Sequence, residues 1–113
     1  MIDLDIMRGL ETNGANQILN WTNFGTLGGV FVADGVAATW PLYGDTFGLP
    51  SVVFAGVGEG NHFKATFTAP AGITGAAPNY SVELWMLNPV INNEEWLFGW
   101  ARGWTCKRRT CTR

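Results

Sequence analysis

The chain has 113 residues, a formal net charge of −2, 47% hydrophobic residues and 14% charged residues. This length is enough for one domain but not for two. The low charge, together with six Trp and seven Phe, excludes intrinsic disorder, a coiled coil and a polybasic nucleic-acid-binding module.

The first half of the chain is predicted to consist of short strands, because glycine and proline interrupt nearly every long window. Residues 2–6 alternate apolar and acidic side chains, which predicts a strand with its apolar residues on one face. Further strands are predicted over residues 18–21, 28–33 and 36–40. Asp34 and Gly35 predict a turn between the last two strands, and residues 43–50 are predicted to form a loop.

The second half continues this pattern. Residues 51–55 and 62–68 are β-rich and are predicted to pair as a hairpin around the glycine-rich loop 56–61. Residues 80–88 show the clearest alternation in the chain, and residues 94–101 are predicted to be the last strand. Roughly seven short strands separated by turns predict an all-β fold, an antiparallel β-sandwich or barrel.

Three aromatic and glycine-rich strings follow one another in a specific order. They are WTNFGTLGG at 21–29, VFAG at 53–56 leading to Phe63, and YSVELW at 80–85 before Asn88-Pro89. Their order and spacing over residues 2–101 resemble the opening half of a laminin-G-like, concanavalin A-like jelly-roll domain of large secreted bacterial proteins. The resemblance implies an incomplete jelly-roll sandwich with a lectin-like role, the non-catalytic binding of carbohydrate or a surface ligand, or adhesion. A structural spacer without a ligand, or a lectin-like appendage of a polysaccharide-degrading enzyme, stays open as an alternative.

Charge divides the chain near its C-terminus. Residues 1–101 hold all nine acidic residues and two basic ones, a charge of −7, whereas residues 102–113 carry a charge of +5 and both cysteines. We therefore expect residues 1–101 to be the partial sandwich and residues 102–113 to be a separate basic tail. We hypothesise that a reading-frame shift near residue 102 makes the chain a fragment; a natural basic tail is the alternative.

The location and the partners follow from the same features. No stretch approaches the ~20 apolar residues of a membrane-spanning helix, and Asp3 and Asp5 stand where a signal peptide would be basic or apolar. The resemblance implies an extracellular or cell-surface location as part of a longer precursor. Glycans or cell-surface ligands are the expected partners, nucleic acid is not, and an incomplete sandwich is expected to self-associate through its open sheet edges.

The sequence offers no convincing catalytic set. No string supplies the two closely spaced carboxylates of a glycosidase, and the one histidine, His62, lacks the partners of a nucleophilic triad. Cys106 and Cys111 lack a second pair of zinc ligands, and a disulfide between them would close only a small loop. We therefore predict a non-enzymatic protein with two incidental thiols.

Ligand binding is predicted to depend on aromatic faces beside groups that bond to sugar hydroxyls. The candidate ligand-binding residues are Trp40, Tyr43, Asp45, Asn61 and His62. No cofactor is predicted. Calcium is the open alternative, because loop oxygens are its preferred ligands, and the candidate ligands are Asp34, Asp45, Glu59 and Asn61.

Overall fold

The computed structural model describes residues 1–54, 62–70, 81–87, 105–107 and 110–112. The chain forms two compact units, Met1–Thr68 and Ala69–Arg113. Within the described residues the regular structure is β throughout, apart from one 3-10 turn at Ala37–Thr39. All the strand pairs are antiparallel, so the prediction of an antiparallel all-β protein is confirmed.

Six strands lie in the described part of the first unit. They are β1 (Leu10–Thr12), β2 (Ile18–Thr22), β3 (Val30–Asp34), β4 (Leu42–Thr46), β5 (Leu49–Val53) and β6 (His62–Ala65). Four of them form one sheet in the order β1-β2-β3-β6, and β4 pairs with β5 in a second sheet. The predicted strands over 18–21 and 28–33 are thus confirmed as β2 and β3, with shifts of one or two residues at their ends.

The β4–β5 hairpin closes through a two-residue loop, because Thr46 and Leu49 are register partners. Phe47 and Gly48 form this loop, with φ angles of 56° and 78°. Two successive positive φ angles are typical of the type I′ turn, whose twist matches that of the flanking strands. The loop is fixed further by Asp45, whose Oδ1 accepts a hydrogen bond from the Gly48 amide at 2.7 Å.

The two sheets of the first unit are joined where the chain enters β2 and β4. Gln17 and Leu42 form an isolated antiparallel bridge. The Ile18 amide donates to the Pro41 carbonyl at 2.8 Å, and the Tyr43 amide donates to the Asn16 carbonyl at 2.8 Å. Because Ile18 and Pro41 are fully buried here, this junction lies at the core of the unit.

The core of the described residues is small. Ile18 and Ala33 are the buried hydrophobic residues of the described part of the chain. Three edge-to-face aromatic pairs also lie in the first unit, with ring centroids 5.4–6.0 Å apart. The pairs are Trp21–Phe63, Phe54–Phe63 and Phe31–Phe67.

The predicted strand over residues 2–6 is wrong. The segment runs without a ladder and turns at Asp5, whose Oδ1 accepts from the Met7 amide at 2.9 Å and whose carbonyl accepts from the Arg8 amide at 3.2 Å. An aspartate that bonds the backbone two residues ahead favours a turn over a strand. The acidic residues that suggested a solvated strand face therefore shape the turn instead.

Two predictions between β3 and β5 are also wrong. Residues 36–40 contain the 3-10 turn rather than a strand, and the Thr39 amide and hydroxyl both donate to the Val36 carbonyl at 2.9 Å. Residues 43–50 belong to the β4–β5 hairpin rather than to a loop. Gly48 occupies a turn position that favours glycine, and Pro50 lies on a two-stranded sheet, where the missing amide is tolerated.

The predicted hairpin between residues 51–55 and 62–68 has the wrong partners. The strand β5 pairs with β4, and β6 pairs with β3 through four registered positions from Phe31–Ala65 to Asp34–His62. Residues 81–87 are not in a strand and are exposed throughout, so the predicted strand over 80–88 is wrong across this range. The loop 56–61 and the predicted strand over 94–101 lie outside the described residues.

The second unit contains a short hairpin within the basic tail, where no strand was predicted. Its strands are β7 (Thr105–Lys107) and β8 (Thr110–Thr112). Their register pairs Thr105 with Thr112, Cys106 with Cys111 and Lys107 with Thr110. The division of the chain at residue 101 stays a prediction.

Candidate functional site: a cleft beside Tyr43

The N-terminal segment is held in place by one buried amide, that of Asn23, which is 4% exposed. Its Oδ1 accepts hydrogen bonds from the amides of Asp3 at 2.8 Å and Gly25 at 2.9 Å. Its Nδ2 donates to the Gly28 carbonyl at 2.8 Å. Because Asp3 lies 20 positions away, this side chain fixes the start of the chain against the loop before β3.

Arg8 comes directly after the anchored N-terminal segment in the chain. Its Nε donates to Asp5 Oδ2 at 2.9 Å, and its Nη2 lies 3.6 Å from Asp3 Oδ2. Its guanidinium also lies over the Phe24 ring, 4.2 Å from the centroid, in a cation–π contact. The side chain keeps 55% of its surface exposed, so the guanidinium is oriented by three neighbours and still faces solvent.

A cleft of about 360 Å³ opens beside this arginine. One wall is Tyr43 of β4, which is 39% exposed, and the other walls come from the N-terminal segment and β1. The lining residues are Ile6, Met7, Arg8, Gly9, Leu10, Thr12 and Tyr43. We call this the Tyr43 cleft.

The residues that line the Tyr43 cleft are of several chemical kinds. They include the aromatic Tyr43, the cationic Arg8, the hydroxyl-bearing Thr12 and the apolar Ile6 and Leu10. A guanidinium donates several hydrogen bonds and accepts none, whereas each hydroxyl can do both. The lining contains no carboxylate, histidine or cysteine that would act as a base or a nucleophile.

A second cleft, of about 460 Å³, lies along β3 and β6. Its lining residues are Val32, Ala33, Asp34, Lys64, Ala65 and Thr66. His62 lies at its end, since it is the register partner of Asp34 and its Nε2 is 3.6 Å from Asp34 Oδ2. The two clefts share no lining residue.

The structure separates the five residues predicted to bind ligand. Tyr43 lines the Tyr43 cleft, whereas His62 lies beside the other one. Asp45 is two positions from Tyr43, on the same face of β4, but its Oδ1 is engaged in the hairpin loop. Trp40 follows the 3-10 turn, and its Nε1 is buried without a hydrogen-bond partner in the described part of the chain. Asn61 lies outside the described residues.

Sequence reasoning missed Arg8 and Thr12 as site residues. Arg8 carried one usable signal, since it is one of two basic residues in the acidic stretch 1–101. Its placement beside Tyr43 depends on contacts between distant parts of the chain, which no local pattern reveals. No feature of the sequence identified Thr12 as a site residue.

Two of the four candidate calcium ligands have structural roles. Asp34 Oδ1 accepts from the Gly35 amide at 2.9 Å, and Asp45 Oδ1 accepts from the Gly48 amide at 2.7 Å. Glu59 and Asn61 lie outside the described residues. Across the ranges that the structure describes, no three His, Cys, Asp or Glu residues group as metal ligands.

No helix within the described ranges has the length and apolar character needed to cross a bilayer. No protein-family model matches the chain, and neither a curated protein nor a solved structure is significantly similar to it.

Proposed function

We propose that this protein is a non-catalytic binding module that takes a carbohydrate, or a similarly hydroxyl-rich surface ligand, in the Tyr43 cleft. The observation that carries the proposal is the half-exposed Tyr43 ring on the wall of a cleft that also presents Arg8 and Thr12. The proposal includes a concanavalin A-like, laminin-G-like sandwich that acts at the cell surface or outside the cell. The antiparallel all-β architecture supports this part only at the level of fold class.

The Tyr43 ring supplies the apolar part of such a site. An aromatic ring offers a flat apolar surface for the C–H face of a sugar, and its hydroxyl remains available at the rim. The backbone of Tyr43 is held by a hydrogen bond from its amide to the Asn16 carbonyl and by pairing with Val52. A ring carried by a paired strand needs little ordering when a ligand arrives, which lowers the cost of binding.

Arg8 supplies the polar part. The contacts with Asp3, Asp5 and Phe24 orient its guanidinium before any ligand is present. Hydrogen bonds from a charged donor contribute more than neutral ones, about 1.5–3 kcal/mol against about 1 kcal/mol. The two neighbouring carboxylates offset the charge of Arg8, which favours a neutral polyhydroxylated ligand over a strongly anionic one.

Screening the 113-residue chain on a glycan array tests the proposal. We expect reproducible binding that Tyr43→Ala weakens by up to about tenfold, because one stacking contact contributes up to roughly 1.5 kcal/mol. Tyr43→Phe should keep most of the binding, since it preserves the ring. Trp85→Ala is the matched control, because Trp85 is an 89% exposed aromatic residue that does not line the cleft. A blank array, or equal losses in Tyr43→Ala and Trp85→Ala, would contradict the proposal.

A structural spacer is the second candidate, and the small core favours it. Large apolar side chains stay exposed on the β4–β5 hairpin, among them Phe47 and Leu49. Within the described part, β1 and β6 are the outer strands of the four-stranded sheet, and outer strands present groups that pair with other chains. The glycan array separates the two candidates, because a spacer gives a blank array whereas a binding module gives hits. Sedimentation velocity then tests the spacer, which we expect to associate with increasing concentration.

A further inference from the structure

The basic tail contains the two cysteines of the chain at facing positions. Cys106 lies in the middle of β7 and Cys111 in the middle of β8, and the two are register partners. The flanking pairs, Thr105–Thr112 and Lys107–Thr110, keep the same register, so the pairing of the cysteines is supported on both sides.

The hairpin geometry at this position suits a disulfide. Lys107 and Thr110 are the pair that flanks the two-residue connection, so Cys106 and Cys111 form the next pair of the ladder. Facing residues of an antiparallel ladder have Cα atoms about 4.5–5.5 Å apart. Disulfides join Cα atoms about 4.4–6.8 Å apart, so the ladder provides the separation that the bond requires without a backbone rearrangement.

We propose that Cys106 and Cys111 form an intrachain cross-strand disulfide that closes a ring over Lys107, Arg108, Arg109 and Thr110. The incidental thiols predicted from the C-x₄-C spacing are thereby reinterpreted as a modification site. The inference concerns the second unit and does not rest on the proposed binding function. The ring includes the three consecutive basic residues of the tail.

The bond forms by thiol–disulfide exchange with a low-molecular-weight disulfide such as oxidised glutathione. One cysteine thiolate attacks a glutathione sulfur, which forms a mixed disulfide and releases one glutathione thiolate. The second cysteine thiolate then attacks the protein sulfur of the mixed disulfide and releases the second glutathione thiolate. Each cysteine loses one proton, and the two electrons reduce the two sulfurs of the oxidant.

Tryptic mapping of the full chain tests the bond directly. Trypsin cleaves after Lys107, Arg108 and Arg109, all of which lie between the two cysteines. After incubation in a glutathione redox buffer and alkylation of free thiols, we expect the Cys106 and Cys111 peptides to stay linked until a reductant is added. The intact chain should have lost two hydrogens and should run as a monomer on a non-reducing gel, with no covalent dimer.

A shifted-register variant is the matched control. The double substitution C111S/T112C moves one thiol by a single position along β8, and neighbouring residues of a strand point to opposite faces. We expect its equilibrium constant for closure to fall roughly tenfold, the equivalent of the backbone ordering of about one residue. Two alkylated thiols in the native chain, a disulfide-linked dimer, or equally ready closure of C111S/T112C would each overturn the inference.

Discussion

Replacement of Asn23 by alanine removes one of the connections between the N-terminal segment and the loop before β3, the one made by a buried side chain. The buried amide makes three hydrogen bonds of 2.8–2.9 Å, to the backbone of Asp3, Gly25 and Gly28. Backbone contacts of this region remain in the variant, among them the Phe24 amide to the Asp3 carbonyl at 2.9 Å and the Leu27 amide to the Met1 carbonyl at 3.3 Å. The substitution therefore tests the side chain itself rather than the whole segment.

The expected loss follows from the three bonds. A typical hydrogen bond contributes about 0.5–1.5 kcal/mol net, so three give roughly 1.5–4.5 kcal/mol. The three backbone groups are only partly buried, so water replaces some of what they lose. We therefore expect Asn23→Ala to lower the free energy of unfolding by about 2–3 kcal/mol.

Urea unfolding of the purified chain, followed by tryptophan fluorescence, measures this loss. With a slope near 1–3 kcal/mol per molar urea, the midpoint should fall by about 1 M or more. Asn13→Ala is the matched control, since Asn13 also makes three side-chain hydrogen bonds, to Ala15 and Gln17. Those bonds span at most four positions, so we expect less than half the effect of Asn23→Ala.

Asn23→Asp tests the amide's hydrogen-bond donor separately from its acceptor. The carboxylate keeps an acceptor for the Asp3 and Gly25 amides but replaces the donor that faces the Gly28 carbonyl with an oxygen. We expect a loss comparable to that of Asn23→Ala. Equal midpoints for Asn23→Ala and Asn13→Ala, or a loss below about 0.5 kcal/mol in Asn23→Ala, would refute the role assigned to this side chain.

Two further predictions concern the β4–β5 hairpin and the core. Phe47→Asn should raise the free energy of unfolding by about 1 kcal/mol, because Phe47 has a φ of 56° and is 89% exposed, and asparagine tolerates this conformation better. Thermal unfolding checks this, with Phe47→Ala expected to give little change; an equal gain in both variants would contradict it. Ile18→Ala should lower the stability by about 2–5 kcal/mol, since Ile18 is 0% exposed at the junction of the sheets. Leu49→Ala, at an exposed position, is its control, and a matching loss there would refute the placement of the core.

The fold class and two central strands could be predicted because their signals are local. The strands β2 and β3 are short apolar runs, and Gly35 follows β3 with a φ of 93°, as the Asp34-Gly35 pair suggested. The partners of the strands could not be predicted in this way. The local sequence pattern of residues 51–53 does not distinguish pairing with β6 from pairing with β4. The twist and the length of the Phe47-Gly48 loop favour pairing with β4.

The candidate site could also be predicted only in part from the sequence. Tyr43 was identifiable as an aromatic residue near turns, but its neighbour Arg8 was not. Arg8 reaches the cleft because Asn23 holds the N-terminal segment and because Phe24 lies under the guanidinium. Such contacts join residues 15 or more positions apart, beyond the range over which alternation and turn signals carry information.

The junction of the two sheets has a consequence for how the Tyr43 cleft behaves. Tyr43 enters the cleft from the β4–β5 sheet, whereas Leu10 and Thr12 enter from the four-stranded sheet. The bridge at Gln17 and Leu42 joins the two sheets that carry these walls. Under the proposed function, a ligand in the cleft contacts both sheets, so its affinity depends on how firmly this bridge joins them.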